Sequence, residues 1–281
     1  MATLDAVAMP PKRAKIYRHS LLVRLSHWLN VLCMTILLFS GLQIFNAHPA
    51  LYWGQYGADN DPSVLSIGAV QDGDAIKGIT TVGGLTVNTT GVLGVSTVDG
   101  EPAPRAFPAW LTIPSYQDLA TGRRWHFFFA WLFVINGLIY MAYGFFARHF
   151  RRDLLPTRKE LSPAHIGHEI ADHARLRFPK GDQARHYNAL QKLTYLAVLF
   201  GLLPLMIVTG LCMSPGFDAF APWLPEFFGG RQSARLIHFI TATGLVLFVV
   251  VHVAMVLASG LFNNMRSMIT GYYVIHFGEK P

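Results

Sequence analysis

The 281-residue chain is short of charge and of cysteine. Lys, Arg, Asp and Glu together make up 14% of it, against roughly 25% in soluble domains, which argues for an integral membrane protein. The two cysteines, Cys33 and Cys212, both lie in apolar stretches. There is no Cys-x-x-Cys-His run, which excludes covalent c-type haem attachment, and two thiols are too few to ligate an iron–sulfur cluster by themselves. Both read as small packed hydrophobes. A cleavable leader is also missing from the pattern: the apolar run beginning near Leu25 is of full spanning length and reads as a retained signal-anchor.

What the chain has in excess is apolar sequence, 52% of it, including 20 Phe, 10 Tyr and 6 Trp. Four apolar runs are long enough to cross a bilayer as helices, at about 24–45, 125–146, 190–213 and 235–259. They define one all-α membrane domain over residues 1–281, a four-helix bundle with a long loop, 46–124, between the first two spans. The net charge of +7 would raise the question of nucleic acid in a soluble protein. Here the bases are segregated: Lys12, Arg13, Lys15, Arg18 and Arg24 face one acid, Asp5, before the first span, and the 147–189 loop holds nine bases and five acids. By the positive-inside rule both segments, and the tail from Asn263 to Pro281, are cytoplasmic. The 46–124 loop, with seven acids and four bases, is then extracytoplasmic. Its Thr-, Val- and Gly-rich middle, Gly78 to Gly100, alternates as one or two short surface hairpins would, with low-complexity disorder as the competing account.

The fourth span carries two histidines, His238 and His252, that an apolar crossing would not hold without cause. They are fourteen residues apart, which on a helix returns to within about 40° of the same direction while advancing about 21 Å. Haem iron commonly takes axial histidine, so this helix is expected to hold two haems, each needing a second imidazole. Depth selects the partners. His27 opens the first span and His252 lies near the inner end of the fourth, whereas His126 and His238 each lie within about one turn of an outer end. The pairs are therefore His27 with His252 and His126 with His238, inside a bundle suited to cofactors. His19, His48, His149 and His276 have no depth-matched partner. His165 and His168 read as solvated residues, because no cysteine or acid completes a metal site around them.

Secondary candidates follow from the same geometry. Gly41, fourteen residues after His27, and Gly137, eleven after His126, remove side chains where a flat cofactor would approach; ordinary small-residue packing explains them as well. Arg24, Arg124 and Arg235 are spaced to meet haem propionates or, equally, to anchor helix ends at head-group level. The HYNALQK entry to span three groups His186, Asn188 and Gln191 at the inner interface. There they meet a quinone head group or simply start the helix. Span three has no histidine and contains Pro204 between Gly201 and Gly210, so a kink is expected.

These features, RLSHW at span one, RRWHF at span two, YNALQKLTY at span three and the His-x13-His of span four, resemble the di-haem cytochrome b subunits of nickel-iron hydrogenases, thiosulfate reductases and formate dehydrogenases. The resemblance covers all four spans. It implies the same four histidines as axial ligands of two haem b groups, and a quinone site near the inner haem. The long outer loop departs from the hydrogenase type and, with PAWLTIP, is more similar to members that accompany a periplasmic molybdopterin oxidoreductase of the sulfite-oxidase type. The expectation is an electron-transfer subunit of the bacterial cytoplasmic membrane, both termini inside, linking the quinone pool to such a partner or to a hydrogenase. The alternatives are a free-standing quinol-dependent cytochrome b reducing a small oxidant, and a haem-free scaffold or transporter.

Overall fold

The computed structural model describes residues 13–57, 61–98, 100–175, 177 and 187–276. Four of its helices are long and apolar enough to cross a membrane: Leu21–Phe45, Leu119–Phe146, Ala189–Cys212 and Arg231–Ala258. Large apolar side chains on these helices, such as Phe128, Leu138 and Leu247, are left exposed, as lipid-facing residues are. The second helix starts about six residues before its apolar run. Hydropathy marks the crossing, whereas the helix continues into polar sequence because Asp118 caps it, accepting from the Thr121 N–H at 3.1 Å and hydroxyl at 2.7 Å.

The chain divides into two compact units. One comprises Met1–Trp28, Ile139–Phe200 and Leu247–Pro281. In it the strand Arg13–Tyr17 pairs antiparallel with Tyr272–His276, and the amphipathic helix Leu261–Thr270 is tied to the start of span one. The Arg24 guanidinium donates to the Ile269 carbonyl and the Trp28 indole donates to Met268 at 3.1 Å. Span three opens in this unit on a capping box, in which Asn188 accepts from the Gln191 N–H at 2.8 Å and Gln191 accepts from the Asn188 N–H at 3.3 Å. Glu169, on the helix Pro163–Ala174, accepts from the next two orphan N–H groups, Ala189 and Leu190.

The other unit comprises Leu29–Leu138 and Gly201–Val246. Here Cys33, fully buried, packs with Phe129 and Phe133, and Cys212 with Ala221, Leu224 and Ala234, so both thiols are packing groups as expected. Asn136 donates to Asn30 at 2.7 Å, a polar rivet between spans one and two. The long loop is more structured than one or two hairpins over 78–100. A four-stranded antiparallel sheet runs Ala50–Leu51, Leu65–Asp72, Ala75–Val82, Leu85–Asn88, and a separate hairpin joins Val95–Val98 to Glu101–Pro104. Chain crossing requires Gly78: a Cβ there would stand 2.1 Å from the Leu93 carbonyl oxygen. The loop is latched to the end of span one. Buried Arg105 donates to Gln43 at 3.0 Å and Thr112 at 2.7 Å, and Asn46 exchanges hydrogen bonds with Phe107.

Span three is interrupted over Val198–Leu202 by a π-helical turn, with Pro204 in the first turn of the α-helical segment that follows. The expected irregularity is thus spread over the turn before the proline, which lacks an N–H to offer.

Candidate functional site

Each unit brings together one pair of the histidines singled out in the spans. In the first, the rings of His27 and His252 lie with centroids 6.4 Å apart and planes inclined at 53°. Trp28 meets His27 edge-on at 5.2 Å, and Phe248 stacks on His252 at 5.8 Å. The Nδ1 of His27 is buried without a hydrogen-bond partner. In the second unit, the rings of His126 and His238 lie with centroids 6.5 Å apart and planes inclined at 60°. Both pairs are too far apart for a direct ring-to-ring hydrogen bond along a single N–H, and their separations are nearly equal.

That separation can be tested against a metal. An imidazole nitrogen binds a metal at about 2 Å and stands roughly 1.2 Å from its ring centre, so two imidazoles that shared one metal from opposite sides would have centroids about 6.4 Å apart. Both pairs fit. Among the described residues no three or more His, Cys, Asp or Glu gather as a metal-holding group. Two imidazoles alone are too few for a bare ion, and they suit a metal whose remaining positions are filled by its own macrocycle, which is the case for haem.

The His126–His238 pair is held by residues that sequence reasoning passed over. Ser40, on span one, places its Oγ 3.1 Å from His126 Nδ1, and Thr209, on span three, places its Oγ1 3.0 Å from His238 Nδ1. Both hydroxyls are fully buried. Each is followed by a glycine against the same ring: a Cβ on Gly41 would stand 3.4 Å from His126 Cε1, and one on Gly210 3.3 Å from His238 Cε1. Gly41 therefore makes room for an imidazole, and Gly137, with nothing within 4 Å of its Cβ position, faces open space. The signal that could have found this arrangement is the repeated hydroxyl-glycine dipeptide, Ser40-Gly41 and Thr209-Gly210, in two spans that each lack a histidine at that level.

The arginines have other partners. Arg235 donates to the Ala50 carbonyl at 2.9 Å and to that of His48, and lies over the Phe45 ring, so it ties the loop to span four. Arg24 holds Ile269, while its Nε is buried without a partner. Arg124 is exposed. His186 lies outside the described residues; Asn188 and Gln191 carry the capping box, with their side-chain carbonyls spent on the helix start. His19, just before span one, is buried, and this loss of water, together with Arg18 nearby, lowers its pKa to about 4.

Apolar crossings that present facing imidazoles define a class, the multi-pass membrane proteins that carry haem between helices. The chain belongs to the prokaryotic cytochrome b561 family, whose model matches residues 18–271, and it is accordingly a membrane electron-transfer subunit with haem b as the family's cofactor. It is 27% identical over 234 residues, 83% of this chain and 87% of the relative, to a protein of Azospira oryzae provisionally named a protein-methionine-sulfoxide reductase subunit, YedZ1. No solved structure matches the chain.

Proposed function

We propose that the chain is a di-haem b-type cytochrome that carries electrons across the bacterial cytoplasmic membrane between the quinone pool and a periplasmic oxidoreductase. The observation that carries this reading is the pair of ring separations, 6.4 and 6.5 Å, each close to the roughly 6.4 Å that two imidazoles sharing one iron would require. His27 and His252 hold one haem, His126 and His238 the other. A bound haem supplies a one-electron iron centre, and the protein supplies ligation, orientation and a dry setting. The phenylalanines and tryptophan around the rings exclude water. Arg24, Arg124 and Arg235 lie near the helix ends where propionates would emerge, although two of them already give donors to backbone carbonyls.

The partner we infer is a molybdopterin enzyme of the sulfite-oxidase type, docked on the structured 46–124 loop. The name borne by the Azospira relative supports a reductase partner of this kind over a hydrogenase. Quinone exchanges electrons on the basic, cytoplasmic side, with Asn188 and Gln191 shaping that entrance by starting span three. Purified protein should show reduced-minus-oxidised b-haem bands with two haems per chain by pyridine haemochrome. His238→Ala and His252→Ala should each remove one. A protein without b-haem bands, or with both haems intact in His238→Ala, overturns the reading.

A further inference from the structure

Resting on the reading of His126 and His238 as axial ligands, we infer that Ser40 and Thr209 are positioning residues that fix both imidazoles in the tautomer protonated at Nδ1. The argument is a count of protons. A hydroxyl has one hydrogen, and each of these two is directed to a carbonyl of its own helix: Ser40 Oγ donates to Ile36 at 2.6 Å and Thr209 Oγ1 donates to Leu205 at 2.7 Å. What remains on each oxygen is lone pairs, facing a ring nitrogen at 3.1 and 3.0 Å. Nδ1 must therefore be the donor. With the proton fixed on Nδ1, Nε2 carries an unprotonated lone pair, the form a metal requires.

The device occurs twice with the same parts. Span one serves the histidine of span two, and span three, which has no histidine of its own, serves that of span four. In each the hydroxyl is followed by the glycine that lets the ring approach, at 3.4 Å for Gly41 and 3.3 Å for Gly210. The inner pair differs, since His27 Nδ1 is buried with no partner. An imidazole that gives its Nδ1 proton to an acceptor is a more basic ligand at Nε2, and a more basic ligand favours the oxidised iron. Ser40 and Thr209 therefore lower the reduction potential of the outer haem selectively.

The test is an equilibrium redox titration of the purified full-length protein, followed in the b-haem absorption bands, with low-temperature EPR of the oxidised low-spin signals. The outer component is identified as the one absent from His238→Ala. In Ser40→Ala and Thr209→Val the outer component should titrate at higher potential with a shifted EPR signal, while the inner component stays put and two haems remain. Thr209→Ser should restore the original values. An unmoved outer potential with full haem content overturns the inference. If Thr209→Val loses the haem, Thr209→Ser retaining it at the original potential supports the hydroxyl's role, and Thr209→Ser losing it too overturns that role. Absence of haem from the unsubstituted protein would instead refute the ligand reading itself.

Discussion

Gly210 offers the sharpest mechanical test of the His126–His238 site, the outer one in the proposed topology. A Cβ added there would stand 3.3 Å from His238 Cε1 and 3.7 Å from Nδ1, inside the roughly 3.5–4.0 Å at which carbon atoms attract one another best. Alanine demands a shift of a few tenths of an ångström. Valine adds two further methyl groups on the same side, and the ring has little room to retreat, because Nδ1 is held 3.0 Å from a fully buried Thr209 hydroxyl. Overpacking of this kind costs about 1–3 kcal/mol. If that cost falls on the ligand-competent ring position, haem affinity at the outer pair drops roughly 5- to 140-fold.

The assay is haem titration into protein produced under haem limitation, reading the haem-to-protein ratio and the EPR of each low-spin species. The His27–His252 pair is the internal control. Gly210→Ala should retain both haems with a perturbed outer signal, and Gly210→Val should lose the outer haem at concentrations that still saturate the inner one. Retention of two haems with unchanged EPR in Gly210→Val would refute the claim that this glycine exists to admit the ring.

Gly137, which faces open space, makes the complementary case: Gly137→Leu should lower haem content if a cofactor lies against it, measured by pyridine haemochrome, while lipid contact alone would leave the content unchanged. Asn136→Leu should destabilise the bundle by about 0.6 kcal/mol, the usual worth of a side-chain hydrogen bond between membrane helices, in detergent-denaturation curves. Asn30→Leu combined with it should cost less than the two single substitutions added together. Arg105→Met should free the long loop from Gln43 and Thr112 and expose it to limited proteolysis, with the haem spectrum unchanged. His19 yields a pH dependence. Its folded pKa of about 4 lies below the ordinary 6.5, so the unfolded chain binds the proton first as pH falls. No penalty exists above pH 6.5; it grows between 6.5 and 4 to roughly 3 kcal/mol and then levels off. Thermal unfolding against pH should be flatter in that window for His19→Gln.

What could be read in advance follows from which physics leaves a periodic trace. A crossing helix must be apolar for its whole length, so all four spans were visible, and their polar extensions, such as the turn capped by Asp118, were not. Helical phase and depth together select which imidazoles can meet, and both are arithmetic on residue numbers. The 46–124 loop was legible only as β-prone, because the sheet there is set by non-local pairing and by Gly78 passing under Leu93. Ser40 and Thr209 were hidden for a different reason. A hydroxyl inside a span ordinarily bonds back to its own helix, and both do so here, so apart from the glycine that follows each, sequence offers nothing to distinguish them from any other buried serine or threonine. Their role appears only when the ring of a neighbouring helix is placed against the lone pairs that back-bonding leaves free. A residue that satisfies its own helix with its hydrogen can serve another helix with its oxygen, and this is how a span without a histidine comes to take part in holding one.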